Sequence, residues 1–170
     1  MVLGNWLAIL ARHVGGAEGI TWDDVVVGHD FGFLKAEEIQ VWIRGGGFQG
    51  EATDRVCRLE GVERATRFEA ALWKASAEQT GKAPRPGGQR WGRAQDRWRL
   101  ALLKDVLEAP LSPEALGVAV ETIYESVGCP EDMLGLWEIT APWSRQPPRG
   151  DREAIARFVN RREADLVREG

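Results

Sequence analysis

Cysteine is scarce in this chain. Its two residues, Cys57 and Cys129, lie far apart, and neither has a second Cys or a His at zinc-ligand spacing. That argues against a disulfide scaffold and a structural zinc site. Each thiol is expected to be a small buried apolar side chain in a reducing compartment, so a cytoplasmic protein is expected. Long apolar runs are also missing: none approaches the ~20 residues that cross a bilayer, and no membrane association is expected. The opening Met-Val-Leu-Gly-Asn-Trp lacks the basic start, apolar stretch and cleavage site of a secretory signal. Sustained strict alternation of apolar and polar residues is absent, which argues against sheet. No internal repeat of roughly 34 or 40 residues is present, which argues against a helical solenoid.

What is present is helical periodicity in a chain of 170 residues, 44% hydrophobic and 28% charged. A chain of this length buries about two-thirds of its unfolded surface as one domain. The fold expected is all-α: a compact, multi-helix bundle of about seven or eight helices forming a single domain over residues 1–170, with a Pro/Gly loop at 81–90 and a Pro-rich connector at 140–150. The first helix should follow Asn5 and end at Gly15-Gly16. Thr21 should cap a short second helix that stops at Gly28, with Asp23 and Asp24 in its first turn. Lys35 to Arg44 should form a third, stopped by Gly45-Gly46-Gly47. Residues 52–60 and 62–80 read as two helices or one bent helix. Residues 92–108 carry Trp98, Leu102 and Val106 beside Leu100, Leu103 and Leu107, a stripe wide enough for a heavily packed helix. Ser112 should cap a helix opening on Pro113, with Leu116, Val120, Ile123 and Val127 on its core face. Pro130-Glu131-Asp132 should start a short helix, and Asp151 should cap a last one from Arg152 to about Arg168.

Charge is unevenly distributed. Residues 82–104 carry seven Lys and Arg against Asp96 alone, whereas residues 105–141 carry eight acidic residues and no base. The basic stretch interleaves Trp91 and Trp98, a pattern that in another setting stacks bases. The net charge of −4 opposes nucleic-acid binding, and pairing with the acidic segment is the simpler use for these cations. Of the eight tryptophans, Trp22, Trp42, Trp73, Trp98 and Trp137 are expected to be core or half-core side chains on helical faces. Trp143, between Pro142 and Ser144, suits equally an exposed anchor or a side chain that pins the connector.

Residues suited to catalysis have plainer uses. His13 lies at a helix end, where a protonated ring complements the dipole, and His29 beside Asp30 lies in a Gly-His-Asp-Phe-Gly turn. The carboxylate pairs Asp23/Asp24, Glu37/Glu38 and Glu131/Asp132 each fall in or near a first helical turn, where acids are favoured without any metal. Gly45-Gly46-Gly47 and Gly87-Gly88 lack the Lys-Ser/Thr of a phosphate loop and the setting of a dinucleotide fingerprint. No catalytic residue, metal ligand or cofactor is expected.

The run Glu121-Thr122-Ile123-Tyr124-Glu125-Ser126-Val127-Gly128-Cys129-Pro130-Glu131-Asp132-Met133, with an Ile-Tyr pair before a turn and a Pro-Glu segment, resembles the bacterial family known as domain of unknown function 2247. The upstream Arg97-Trp98-Arg99-Leu100-Ala101-Leu102-Leu103 helix fits the same pattern. So does Ile20-Thr21-Trp22-Asp23-Asp24-Val25-Val26-Val27-Gly28 with Gly32-Phe33-Leu34 and Glu38-Ile39. The resemblance covers roughly residues 20–166 and is to a divergent branch, because the residues after the Ile-Tyr pair depart from the family's acidic and aromatic pattern. It implies a small helical bacterial protein, by analogy an immunity protein that neutralises a cognate toxin. The expected partner is that toxin, met by Glu114, Glu121, Glu125, Glu131 and Asp132 as an acidic patch and Trp143 as the aromatic anchor. The alternatives are a regulatory or adaptor module and a small hydrolase using His29.

Overall fold

The computed structural model describes residues 6–141 and 143–169. The Asn5 cap and Pro142 lie outside the described residues. The described residues form eight α-helices: α1 Trp6–His13, α2 Trp22–Asp30, α3 Ala36–Gly46, α4 Glu51–Arg58, α5 Gly61–Thr80, α6 Gln89–Glu108, α7 Pro113–Ser126 and α8 Arg152–Arg168, with 3₁₀ turns at Ala17–Gly19 and Glu131–Met133. No strand occurs among the described residues, so the all-α expectation holds. The chain divides into two compact units, Met1–Gln95 and Asp96–Gly170.

In the first unit the helix ends are set by side chains read directly from the sequence. Thr21 and Asp24 form a reciprocal capping box: the Thr21 hydroxyl accepts from Asp24 N–H at 3.2 Å, and Asp24 accepts from Thr21 N–H at 2.8 Å. Contrary to expectation, α2 does not stop at Gly28 but runs to Asp30. Glycine costs a helix about 1 kcal/mol relative to alanine, too little to outweigh burial of Val25, Val26 and Val27. The stop comes at Gly32, whose positive φ turns the chain so that Phe33 and Leu34 N–H both donate to Gly28 C=O. Helix α3 likewise passes Gly45 and Gly46 and ends at Gly47 in the left-handed conformation.

Helix α4 is held at both ends by distant side chains. At its C-terminus, buried Gln40 donates to Val56 C=O at 2.8 Å and Leu59 C=O at 2.9 Å. At its N-terminus, Glu78 accepts from Ala52 N–H, Thr53 N–H and the Thr53 hydroxyl at 3.0–3.2 Å. Gly50 permits this approach, because a Cβ there would collide with the Glu78 carboxylate. These contacts satisfy groups that an eight-residue helix leaves orphaned, and the bonds to α4's N–H groups hold the Glu78 carboxyl below the usual carboxylate range. Trp6, Phe33, Phe31, Trp91 and Trp73 form a chain of ring contacts with centroids 5.0–6.1 Å apart.

In the second unit the core gathers Trp98, Leu103, Leu116, Val120, Met133, Ile155 and Phe158. Ser112 caps α7 by accepting from Ala115 N–H at 3.2 Å, and Asp151 caps α8 by accepting from Glu153 and Ala154 N–H, both at 3.0 Å. A charged chain runs through the core. Arg162 donates to Asp96 at 2.5 and 3.0 Å, Arg99 meets Asp96 at 2.5 Å, and Arg99 also grips both oxygens of Asp132. Asp96 and Arg99 are each 4% exposed, so each charge depends on its partners to remain buried.

Candidate protein-binding surface

Helix α7 separates its two faces by helical spacing. Leu116, Val120 and Ile123 are buried, while Glu114, Val118, Glu121 and Glu125 recur at intervals of four, three and four residues along the opposite stripe. Val118 is 46% exposed, an apolar side chain in the middle of an acidic row. It was overlooked in the sequence, although its position on the glutamate stripe is visible there. Glu121 and Glu125 form no ion pair among the described residues, and neither does exposed Glu131 in the 3₁₀ turn. Thr122 and Ser126 turn their hydroxyls back to the carbonyls of Val118 and Thr122, at 2.8 and 2.7 Å.

The remaining two expected acids are occupied. Glu114 faces Arg149 at 3.4 Å. Asp132 accepts two hydrogen bonds from Arg99, at 2.5 and 2.9 Å. Partial burial alone would raise the Asp132 carboxyl, but the hydrogen bonds and charge of Arg99, aided by Arg162, hold it below the usual range. Glu114, Glu121 and Glu125 therefore share a face, while Asp132 is a structural ligand of a buried arginine.

The Pro-rich segment is a closed loop. Trp137 and Gly150 form an antiparallel bridge, Glu138 N–H donates to Arg149 C=O at 2.7 Å, and Asp151 N–H donates to Leu136 C=O at 3.1 Å. Its returning limb lies on α7: Gly150 N–H donates to Pro113 C=O at 2.8 Å, and Gly117 sits directly against the Pro148 carbonyl. Beneath the base, Trp137 packs on Tyr124 with ring centroids 5.0 Å apart. Between these fixed limbs Trp143 is 86% exposed, so of its two readings the exposed side chain is the one found. Ile139 and Arg145 are exposed on the same loop, a feature the sequence reading missed. Such compact loops with adjoining ends often carry function.

Three cations of the basic stretch are held by internal ion pairs, mostly to acids outside the 105–141 segment. Arg90 pairs with Asp23 at 2.5 and 2.8 Å, Lys104 with Glu163, and Arg99 with Asp96, leaving Arg99–Asp132 as the link from these three to the acidic segment. Trp91 and Trp98 are buried, so neither presents a ring for base stacking. His29 lies in the last turn of α2 rather than in a turn. Its Nδ1 hydrogen-bonds to Leu34 C=O at 2.9 Å, and its ring meets Phe68 edge-on at 5.2 Å. The carboxylate pairs are likewise engaged: Asp24 in the capping box, Asp23 with Arg90, Glu37 with Arg64 at 2.6 Å and Glu38 with Lys35 N–H at 2.8 Å.

The described helices include none long and apolar enough to cross a membrane. The chain matches no protein-family model, no curated protein and no solved structure.

Proposed function

We propose that this chain is an immunity-type protein, of the kind implied by its resemblance to the domain of unknown function 2247 family, that binds and neutralises a cognate bacterial toxin in the cytoplasm. The observation that carries the reading is Trp143, 86% exposed on a loop whose base is fixed by hydrogen bonds. A large aromatic ring held out on a closed loop loses little conformational entropy when it enters a partner's pocket, which is why such residues dominate binding energy at interfaces. Glu121 and Glu125, with Val118 between the acids, suit a partner surface that is basic around an apolar centre. That is the charge expected of a toxin acting on nucleic acid, whose own substrate-binding face is cationic.

The test is protection. Cells expressing the C-terminal toxin domain encoded next to this gene should survive when the chain is co-expressed, and Trp143→Ala should abolish survival while leaving the circular dichroism spectrum unchanged. Death of cells carrying the wild-type chain would end the immunity reading. The adaptor reading predicts instead a stable complex with a housekeeping protein and no neighbouring toxin gene.

A further inference from the structure

Between α4 and α5 lies a groove of about 380 Å³ in the first unit. It is lined by Arg55 from α4 and by Arg67, Ala70, Ala71 and Lys74 from α5. Positions 67, 70, 71 and 74 fall on one stripe of α5, so their side chains reach the same side. We infer that this groove binds a small phosphate-bearing molecule through Arg55, Arg67 and Lys74.

Two of the three cations have no ion-pair partner among the described residues. Arg55 and Lys74 form no ion pair with any described carboxylate, although the chain holds 26 acidic residues against 22 basic ones and Glu51 lies one helical turn before Arg55. Arg67 has one ion pair, the exposed contact with Glu63 at 3.2 Å, which a ligand anion exchanges at little cost. Glu78 also lines the groove, but its oxygens already accept from Ala52 and Thr53, so its charge is directed at the start of α4.

The chemistry favours phosphate over a single carboxylate. Guanidinium groups bond phosphate oxygens in pairs and an ammonium supplies a compact charge, so the three cations, set against the carboxylates of Glu51 and Glu78, leave a net positive lining that suits a phosphate. Ala70 and Ala71 in the lining leave room for the rest of a small molecule and give it apolar contact. Rigidity helps too, since Gln40 and Glu78 tie down the two ends of α4 and the wall bearing Arg55 is set before any ligand arrives. The Glu51 carboxylate is the one acid group of the lining without a hydrogen-bond or ion-pair partner among the described residues, and it opposes an anion.

The test is a titration of the ¹⁵N-labelled full chain with pyrophosphate at fixed ionic strength, read by amide chemical shifts. Saturable shifts at Ala52, Ala70 and Ala71 are expected. Arg55→Gln combined with Lys74→Gln should weaken binding by about tenfold or more, and Glu51→Gln should tighten it a few-fold. Trp143→Ala should leave it unchanged, which separates this site from the toxin-binding reading. Shifts that never saturate and are matched by sodium chloride would overturn the inference. So would an affinity unaltered in the double variant whose spectrum shows an intact fold.

Discussion

Gly117 lies against the carbonyl of Pro148, close enough that a Cβ at position 117 would overlap the carbonyl oxygen and come within 2.8 Å of Arg149 N. This contact seats the returning limb of the Trp143 loop on α7. Gly117→Val should therefore push the limb away and cost about 1–3 kcal/mol, the usual range for overpacking a closely fitted site. Amide exchange at Gly150, whose N–H donates to Pro113, should accelerate before exchange in the middle of α7. Equal protection of Gly150 in both proteins would mean that the limb does not depend on this approach.

The ion pair between Arg99 and Asp132 gives stability a defined pH dependence. The folded Asp132 carboxyl lies below its ordinary value of 3.8, so the folded state binds fewer protons at this site than the unfolded chain. Its contribution is complete above the unfolded value and fades as pH falls through the folded one. Asp132→Asn should lower the melting temperature at pH 7, with the difference from wild type narrowing below about pH 4. A gap that stays constant down to pH 3 would contradict this linkage.

Gln40 shows how far a polar side chain can act from its own helix. Its amide nitrogen donates to Val56 and Leu59, two carbonyls at the end of α4. Gln40→Leu keeps the bulk but leaves both acceptors without that donor. A loss of about 1–3 kcal/mol is expected from the urea midpoint. Unchanged stability would show that water reaches these carbonyls at no cost.

Much of this architecture was legible in the sequence because it is written locally. Thr21 with Asp24, Ser112 before Pro113 and Asp151 before α8 are caps whose partners lie within three residues, and each helix starts where they indicate. Glycine misled at Gly28, where tertiary burial decided the outcome, and at exposed Gly45 and Gly46, which α3 passes before its left-handed end at Gly47. The burial expected of both thiols fails at Cys129, which is exposed. The candidate surface was half legible. Helical spacing puts Glu114, Glu121 and Glu125 on one face, but it carries no information that Asp132 is taken by Arg99, 33 residues away. Nor does composition reveal that the loop bearing Trp143 is closed, since the hydrogen bond from Glu138 to Arg149 and the contact of Gly117 with Pro148 join distant residues.

The proposed interface should divide its kinetics between charge and ring. Glu121 and Glu125 have no ion pair among the described residues, so Glu121→Lys with Glu125→Lys should leave the melting temperature nearly unchanged. Against a basic toxin the same pair should slow association by about tenfold or more at low salt, an effect that shrinks as screening increases. Trp143→Ala removes buried contact instead and should chiefly accelerate dissociation, with a loss of about 2 kcal/mol or more in affinity. Surface plasmon resonance over a range of salt concentrations separates the two. If charge reversal leaves the association rate and its salt dependence as they were, α7 is no part of the encounter surface, and Trp143 must act with other neighbours.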